Sequence, residues 1–313
     1  MNKNIEVKVV SVNISEKKGT VKKAVDSIQM NSEGIIGDAH AGDWHRQISL
    51  LGIESVHEWE KLAGRKIEFG EFAENITTDG LKLYHTSPGD KFINDNIVLE
   101  VTQIGKKCHG DDCAIYREVG NCVMPKQGIF CRVLKAGQLK AGDTLVYIPK
   151  VHKALVITLS DRASKGVYED KSGKRVEAML EEFYCNTHKH FEIERKVIPD
   201  SEEELNSLLE YAINSEYDLI ITTGGTGIGK RDITVDVVKE KLEKEIPGIM
   251  EMIRVKYGSE KPNALLSRGV AGLSQNTLIY TLPGSVKAVN EYMNEILKTL
   301  NHLYLMMMGI DAH

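Results

Sequence analysis

The pattern of apolar and polar positions divides the chain into two halves of different character. Up to about residue 148, short β-type runs such as "EVKVVSVNI", "NIVLEVTQI" and "DTLVYIP" are separated by Gly, Asp and Asn turns. This pattern predicts an antiparallel sheet or barrel, interrupted by one helix at "IESVHEWEKLAG". We therefore predict a mostly-β, barrel-like domain over residues 1–148.

From Lys153 onward, apolar strands alternate with amphipathic helices. "ALVITLS" is an uninterrupted apolar run, which is typical of a strand buried on both faces of a parallel sheet. Ser201 and Glu204 form a capping-box pattern at the start of one helix, and a long helix from "SVKAVNEY" closes the chain. The pattern predicts a three-layer α/β domain with a mostly parallel sheet over residues 153–313.

Composition narrows the classes of protein to consider. A net charge of -5 gives no support for a nucleic-acid partner, since such proteins carry a basic face. No apolar run approaches the roughly 20 residues that cross a bilayer, and the N-terminus lacks a signal-peptide pattern. The five cysteines favour reduced thiols, and Cys185 is expected to be packed. We expect a cytoplasmic protein without membrane or nucleic-acid partners.

The loop "TTGGTGIGKRDIT" follows an apolar strand and has part of the P-loop spacing. Gly224, Gly229 and Lys230 fit that spacing, but Arg231 stands where a P-loop needs a hydroxyl for magnesium. A P-loop kinase is therefore the weaker interpretation. The adjacent glycines instead predict that backbone N–H groups approach a phosphate closely.

Two aspartates follow strands of the same predicted sheet. In open α/β sheets, ligands lie beyond the carboxyl ends of the strands, where Asp200 and Asp232 are expected. A pair of carboxylates beside a phosphate-binding loop fits a magnesium-bound nucleotide, because magnesium takes oxygen ligands. The structural alternative is that both aspartates only begin helices. Arg162 and Arg231 could offset the charge of a departing pyrophosphate, or could be surface ion-pair partners.

The second half resembles the MogA/MoaB-like molybdopterin-binding family. The segments "SDRASKGVYEDKSG", "VIPD", "DLIITTGGTGIGKRDIT", "LLSR" and "LPGS" occur in the family's order. The resemblance implies a molybdopterin adenylyltransferase, which uses ATP and Mg²⁺ to place AMP on the terminal phosphate of molybdopterin. It also implies a homo-oligomer, by resemblance a trimer.

The resemblance also implies roles for individual residues. Asp200 and Asp232 would be catalytic and would handle magnesium and nucleotide phosphate. The positions implied to bind pterin or nucleotide are Ser160, Asp161, Arg162, Thr223, Gly224, Gly225, Thr226, Gly227, Ser267, Arg268, Pro283, Gly284 and Ser285.

The first half resembles the MOSC domain, in "GIIGDAHAGDWHRQISLL", "FGEFAENITTDGL" and "LEVTQIGKKCHG". That family is associated with molybdenum-cofactor binding and with sulfur transfer through a cysteine. Cys108 falls on the family's cysteine and could carry a persulfide as a catalytic group. Arg46 could bind an anionic pterin phosphate. The polar residues expected near it are Asp38, His45, Gln47, Ser49, Glu74 and Asn75, with a turn and a strand edge as the alternative.

The cysteines of the first half allow a second interpretation. Zinc or an iron–sulfur cluster could bind there, although the spacing does not match the usual zinc-site pairs. The residues concerned are Cys108, His109, Cys113, Cys122 and Cys131.

Both resemblances imply the same ligand. We therefore predict a protein of molybdenum-cofactor assembly, with molybdopterin and ATP as ligands and with a molybdenum-insertion protein and a sulfur donor as further partners. The alternative is a carrier that binds the pterin without turning over ATP.

Overall fold

The computed structural model describes residues 5–107 and 122–310, and the chain forms two compact units. The first comprises residues 1–150 together with residues 308–313, and the second comprises residues 151–307. The two-domain layout predicted from the sequence is confirmed. No helix within the described ranges has the length and apolar character needed to cross a membrane.

The first unit is built mainly from strands, as predicted. Its strands are β1 Ile5–Ile14, β2 Lys23–Val25, β3 Ser27–Asn31, β4 Gly34–Ile35, β5 Ile48–Gly52, β6 Ile76–Asp79, β7 Lys91–Ile93, β8 Val98–Ile104, β9 Ile129–Lys135, β10 Gly137–Lys140 and β11 Thr144–Ile148. Seven of them form a closed barrel in the order β11-β7-β8-β9-β5-β6-β1, with β1 pairing back to β11. The pairing of β5 with β6 is parallel and the other ring pairings are antiparallel.

The barrel is filled by the inward-facing residues of its strands. In β1, Val7 and Val9 are fully buried while Glu6 and Lys8 are exposed, which is the period of two expected of a strand. Cys131 of β9 belongs to the same core. The helices of this unit are α1 Ile53–Ala63, α2 Met124–Gln127 and a 3₁₀ helix at Leu83–His85.

The second unit contains one six-stranded sheet. Its strands are β12 Val151–Leu159, β13 His190–Ile198, β14 Leu219–Thr223, β15 Lys244–Glu245, β16 Ala271–Ser274 and β17 Thr277–Leu282. The order is β13-β12-β14-β17-β16-β15, and only the first four strands are mutually parallel. The sheet is therefore mixed, and the prediction of a mostly parallel sheet is not confirmed. The reason is a hairpin, since β16 turns into β17 through Gln275, whose φ of 50° is left-handed, and Asn276.

Helices cover both faces of this sheet. They are α3 Asp161–Ser164, α4 Lys171–Asn186, α5 Glu202–Asn214, α6 Thr234–Lys241, α7 Pro247–Gly258, α8 Val286–Met307 and a 3₁₀ helix at Pro262–Leu266. Val156 and Ile221 face a core shared with α4, α7 and α8, whereas Leu155 and Ile220 face a core shared with α5 and α6. Two separate cores make this a three-layer unit. Cys185 at the end of α4 is exposed, so the expectation that it is packed was wrong.

The strand order places a crevice at the carboxyl ends of the central strands. The chain passes from β12 to β13 on one side and then crosses to β14 on the other side of β12. At such a switch point the loops after the two neighbouring strands leave in different directions and open a ligand crevice. The loops after β12 and β14 contain most of the residues predicted to form the site.

Candidate functional site

Three loops meet at the carboxyl ends of β12, β13 and β14 and enclose a cavity of about 570 Å³. We call it the carboxylate cavity. Its lining residues are Leu159, Ser160, Asp161, Arg162, Asp200, Gly225, Gly229, Lys230, Arg231 and Asp232. The structure thus brings Asp200 and Asp232 to one cavity, together with the predicted residues of the loop after β12.

Asp161 connects the three loops of this cavity. Its Oδ1 accepts a hydrogen bond from the backbone N–H of Asp200 at 3.2 Å, and its Oδ2 accepts from the Arg231 guanidinium at 2.8 Å. These contacts hold the pKa of the Asp161 carboxyl below its usual value, the Asp200 N–H contributing most. The Arg231 side chain is 78% exposed, so this ion pair costs little to break.

In contrast to Asp161, the surroundings of Asp200 disfavour the charged form of its carboxyl group. Burial raises its pKa, and the negative charges of Asp161 and Asp232 raise it further. Asp232 in turn accepts a hydrogen bond from the Gly229 N–H through Oδ2 at 2.7 Å. The cavity therefore concentrates carboxylate charge at a place that favours a cation.

The donor set fits magnesium that arrives with a nucleotide. Within residues 5–107 and 122–310, no three His, Cys, Asp or Glu side chains are close enough to hold a metal by themselves. Magnesium is commonly held by one or two carboxylates and completes its shell with substrate phosphates and water. Asp200 and Asp232 line the cavity and are the carboxylates that would hold such an ion.

The glycines of the loop after β14 are required by close packing. Gly224 has a φ of 98°, and a β-carbon there would lie 2.5 Å from the Leu159 carbonyl oxygen. Gly225 has a φ of 65°, and a β-carbon there would overlap the Thr234 hydroxyl, which itself donates to the Gly224 carbonyl at 2.9 Å. Both positions thus need glycine for backbone conformation and for space.

Arg268 supports this loop from outside the carboxylate cavity. Its guanidinium donates to the carbonyls of Gly227 and Asp232 at 2.8 Å each, and forms a two-bond ion pair with Asp236 at 2.8 and 2.9 Å. Four of its donors are used by the protein. These bonds tie Arg268 to the glycine loop and to α6, and the binding contact predicted for it from the sequence stays a prediction.

A second cavity of about 570 Å³ adjoins the first along Leu159 and Ser160 and contains Thr223 and Gly284. Its wall includes Asp170, which the sequence analysis did not select. Asp170 caps α4, accepting from the Gly173 N–H at 2.8 Å, and accepts from the Thr158 hydroxyl at 3.0 Å. An aspartate directly before a helical run was the signal available in "EDKSG".

A third cavity, of about 360 Å³, also borders the glycine loop. We call it the tyrosine cavity. Its lining residues are Thr226, Gly227, Lys261, Asn263, Ala264, Leu266, Ser267, Pro283, Ser285, Lys287, Ala288, Glu291 and Tyr292. The predicted residues that line it are Thr226, Gly227, Ser267, Pro283 and Ser285. Gly227 also packs against the Asp232 carboxylate, since a β-carbon there would lie 2.7 Å from its Oδ2.

In the first unit, Asp38 forms a buried ion pair with Lys22 at 2.5 Å, and neither side chain is exposed. Burial alone would raise the pKa of Asp38, but hydrogen bonds from His40 and Lys22 outweigh it and hold that pKa well below its usual range. Burial lowers the pKa of Lys22 although Asp38 opposes this. The pair fixes the loop after β4, and Asp38 is not available to a ligand.

Most of the other polar residues predicted near Arg46 are committed to the barrel. Gln47 accepts from the Val133 N–H at 2.8 Å, and Asn75 accepts from the Ser49 hydroxyl at 3.0 Å. Glu74 is fully buried, which raises its pKa to about 7, although the Gly70 N–H donates to it at 2.6 Å.

Arg46 is the remaining candidate for an anion in this unit. Its guanidinium lies over the Trp44 ring at 4.9 Å, and its Nε has no hydrogen-bond partner in the part of the chain that is described. His45 contacts the Gln103 side chain at 3.1 Å.

The predicted sulfur site falls outside the described residues, as do Cys108, His109 and Cys113. Cys122 is half-buried. Cys131 lies in the apolar core, where burial raises the pKa of its thiol well above the usual range. This favours packing over metal binding for Cys131.

Comparison with known proteins agrees with the division of the chain. Residues 155–302 match a family described as "probable molybdopterin binding domain", and residues 37–146 match the MOSC domain. The chain is 36% identical over 155 residues to a molybdopterin adenylyltransferase of Helicobacter pylori, covering 49% of this chain and 86% of that protein. It is 35% identical over 161 residues to molybdenum cofactor biosynthesis protein B of Staphylococcus aureus, covering 50% and 93%. Among solved structures, the tungsten cofactor synthesizing protein MoaB from Pyrococcus furiosus is 35% identical, with 50% of this chain and 96% of that chain covered and a TM-score of 0.44.

Proposed function

The chain belongs to the MogA/MoaB molybdopterin-binding family through residues 155–302 and carries a MOSC domain at residues 37–146, and on this premise we propose that its second domain adenylylates molybdopterin with Mg²⁺ and ATP. The observation that supports this most is the carboxylate cavity. Asp161, Asp200 and Asp232 meet there beside a glycine loop, at the switch point of the sheet.

The reaction would be a nucleotidyl transfer. An oxygen of the terminal phosphate of molybdopterin attacks the α-phosphorus of ATP, and the bond from that phosphorus to the oxygen bridging the β-phosphorus breaks. Adenylylated molybdopterin and pyrophosphate are the products. Such transfers depend mainly on positioning and on offsetting negative charge.

The residues of the carboxylate cavity suit these tasks. Magnesium bound with the nucleotide would supply positive charge against the phosphates, and Asp200 and Asp232 would hold it. Arg231 and Arg162 line the same cavity and can offset charge on the leaving pyrophosphate. The glycine loop would bring its backbone N–H groups close to the attacking phosphate, because Gly225 lines the same cavity.

For the first domain we propose binding of the cofactor or of an intermediate, with sulfur transfer through Cys108. Arg46 would bind an anionic group of that ligand, because its Nε lacks a partner within the described residues. A sulfur donor and a molybdenum-insertion protein would be the partners. A homotrimer in the cytoplasm is proposed from the family resemblance alone.

Pyrophosphate release tests the proposal. Purified full-length protein is incubated with ATP, Mg²⁺ and molybdopterin, and each component is omitted in turn. We expect pyrophosphate only in the complete mixture, and loss of the signal with EDTA. Tight pterin binding without pyrophosphate would favour the carrier interpretation instead.

A further inference from the structure

A ring of hydrogen bonds joins the start of α4 to the carboxyl ends of β12 and β14. Asp170, the residue before α4, accepts from the Thr158 hydroxyl at 3.0 Å and from the Ser172 hydroxyl at 3.1 Å. The Thr223 hydroxyl closes the ring, since it lies 3.2 Å from the Thr158 hydroxyl and 3.1 Å from the Ser172 hydroxyl. We call these four side chains the hydroxyl ring. Each residue is at most 9% exposed, so water competes little with their hydrogen bonds.

The protons of the hydroxyl ring are directed towards Asp170. A carboxylate only accepts hydrogen bonds, so Thr158 and Ser172 each use their single hydroxyl proton on Asp170. The proton of Thr223 then goes to one of these two hydroxyls. Thr223 therefore has no proton left to donate to a phosphate, and its hydroxyl anchors the end of β14.

The charge of Asp170 is compensated by the second unit itself. The Gly173 N–H donates to its Oδ1 at 2.8 Å in the first turn of α4, where the helix dipole favours a negative charge. The Arg195 guanidinium lies 3.8 Å from its Oδ2. Gly173 is required by this packing, because a β-carbon there would overlap Asp170 Oδ2 and lie 2.6 Å from the Thr158 hydroxyl. These contacts suit a carboxylate that organises the protein.

The hydroxyl ring lies one residue before two loops of the carboxylate cavity. Thr158 and Thr223 are paired across β12 and β14. The residues that follow them are in contact, since a β-carbon on Gly224 would lie 2.5 Å from the Leu159 carbonyl oxygen. The loop with Asp161 begins after Leu159, and the glycine loop begins at Gly224. Loss of the ring would therefore let the two loops shift relative to each other.

We propose that Asp170 is a positioning residue for adenylyl transfer. Through the hydroxyl ring it fixes the start of the glycine loop against the loop that contains Asp161, and it acts without touching nucleotide or metal. This role rests on the proposed function and adds to it a residue outside the carboxylate cavity. Catalysis by positioning is sensitive to such a residue, because a displacement of about 1 Å can lower a rate on the order of 100-fold.

Three substitutions separate positioning from helix capping and from charge. Asp170→Asn keeps the cap, and its amide can donate to Thr158, so that the ring stays closed with its protons running the other way. Asp170→Ser has one oxygen, which caps α4 and leaves Thr158 without its acceptor. Asp170→Ala loses both contacts. We expect kcat for pyrophosphate release to stay within about threefold for the Asn variant and to fall at least about tenfold for the Ser and Ala variants. KM for ATP should change less than about twofold in all three, since positioning acts on the transition state.

Two results would overturn the proposal. Full activity of Asp170→Ser would show that Asp170 only caps α4. An Asp170→Asn protein as inactive as Asp170→Ala would show that the charge of Asp170 acts directly on a ligand.

Thr223→Val tests whether Asp170 acts through the ring. Removing this hydroxyl should lower kcat about tenfold, and adding Asp170→Ser should lower it at most about twofold further, because members of one network are not additive. Fully multiplicative losses in the double variant would contradict action through Thr223. The matched control is Thr277→Val at the amino end of β17, which removes a buried hydroxyl that donates to the Tyr217 carbonyl at 2.7 Å. We expect the control to keep the wild-type kcat.

Amide hydrogen exchange of the free proteins tests the positioning without turnover. We expect faster exchange in residues 224–229 of Asp170→Ser and Thr223→Val, and wild-type exchange in Asp170→Asn and Thr277→Val. Unchanged exchange in Asp170→Ser overturns the inference and leaves adenylyl transfer in place. A wild-type protein that releases no pyrophosphate overturns the proposed function, while the expected exchange pattern still supports the anchoring of the glycine loop by Asp170.

Discussion

Asp232 is the residue at which charge and structure can be tested separately. Its Oδ2 accepts from the Gly229 N–H, a contact that an amide oxygen can also make. Asp232→Asn should therefore keep the loop folded while removing one carboxylate from the magnesium site. We expect the rate of adenylyl transfer to fall at least about 100-fold with pterin binding retained, since electrostatic groups at phosphoryl centres contribute on this scale.

The control for this variant is Asp236→Asn. Asp236 belongs to the same segment and pairs with Arg268, but it does not line the carboxylate cavity. A loss of activity in Asp236→Asn as large as that in Asp232→Asn would show that the loop, and not the charge of Asp232, was responsible.

Gly225 and Lys230 distinguish this loop from a P-loop. A β-carbon on Gly225 would overlap Thr234 in a left-handed backbone, so Gly225→Ala should lower the free energy of unfolding by about 1–3 kcal/mol.

Lys230 is exposed although it lines the carboxylate cavity. Lys230→Ala should leave stability unchanged and reduce kcat/KM for ATP less than tenfold, as for one exposed charge. Thermal melting and steady-state kinetics measure both. A Lys230→Ala enzyme as inactive as Asp232→Asn would support a P-loop role.

At the scale of residues, the sequence predicted which side chains meet better than it predicted the contacts of each one. Asp200 and Asp232 were predictable because carboxyl ends of parallel strands meet at one edge. The contacts of Arg268 were not, since they depend on the segment before β16 lying beside the glycine loop.

At the scale of elements, Arg268 joins the segment before β16 to the glycine loop. Arg268→Lys keeps the charge but cannot make the four directed hydrogen bonds, because an ammonium lacks the planar fork of donors. We expect faster amide hydrogen exchange in residues 226–232 and a lower kcat for adenylyl transfer. Unchanged exchange in that segment would contradict the positioning role.

The elements themselves were largely predictable. Half of the capping box predicted at Ser201 is observed: the Ser201 hydroxyl accepts from the Glu204 N–H at 3.3 Å, whereas the Ser201 N–H donates to the Pro199 carbonyl at 2.8 Å. The helix that it begins buries Leu205 and Leu209, as the apolar period predicts. The direction of β16 was not predictable, because a short apolar run has the same pattern in parallel and antiparallel neighbours. The two-residue turn at Gln275 and Asn276 is what makes β16 pair with β17 in the antiparallel direction.

At the scale of the whole molecule, a MOSC domain and a molybdopterin-binding domain are joined in one chain, and we propose related ligands for them. Such a fusion raises the effective concentration of an intermediate that one site releases and the other binds.

If the two domains perform separate chemistry, Cys108→Ala should leave adenylyl transfer unchanged and abolish any protein-bound persulfide formed with a sulfur donor. Mass spectrometry of the donor-treated protein measures the persulfide. Its appearance on Cys113, Cys122 or Cys131 would contradict the role given to Cys108.

The fate of the individual phosphates of ATP tests adenylyl transfer most directly. ATP labelled at the α-phosphate or at the γ-phosphate is incubated with the full-length protein, Mg²⁺ and molybdopterin, and the pterin is then separated. We expect the α-label to move to the pterin and the γ-label to leave as pyrophosphate. Transfer of the γ-label to the pterin would show a kinase, and absence of both labels from a pterin that remains bound would show a carrier. Either result would contradict adenylyl transfer by this protein.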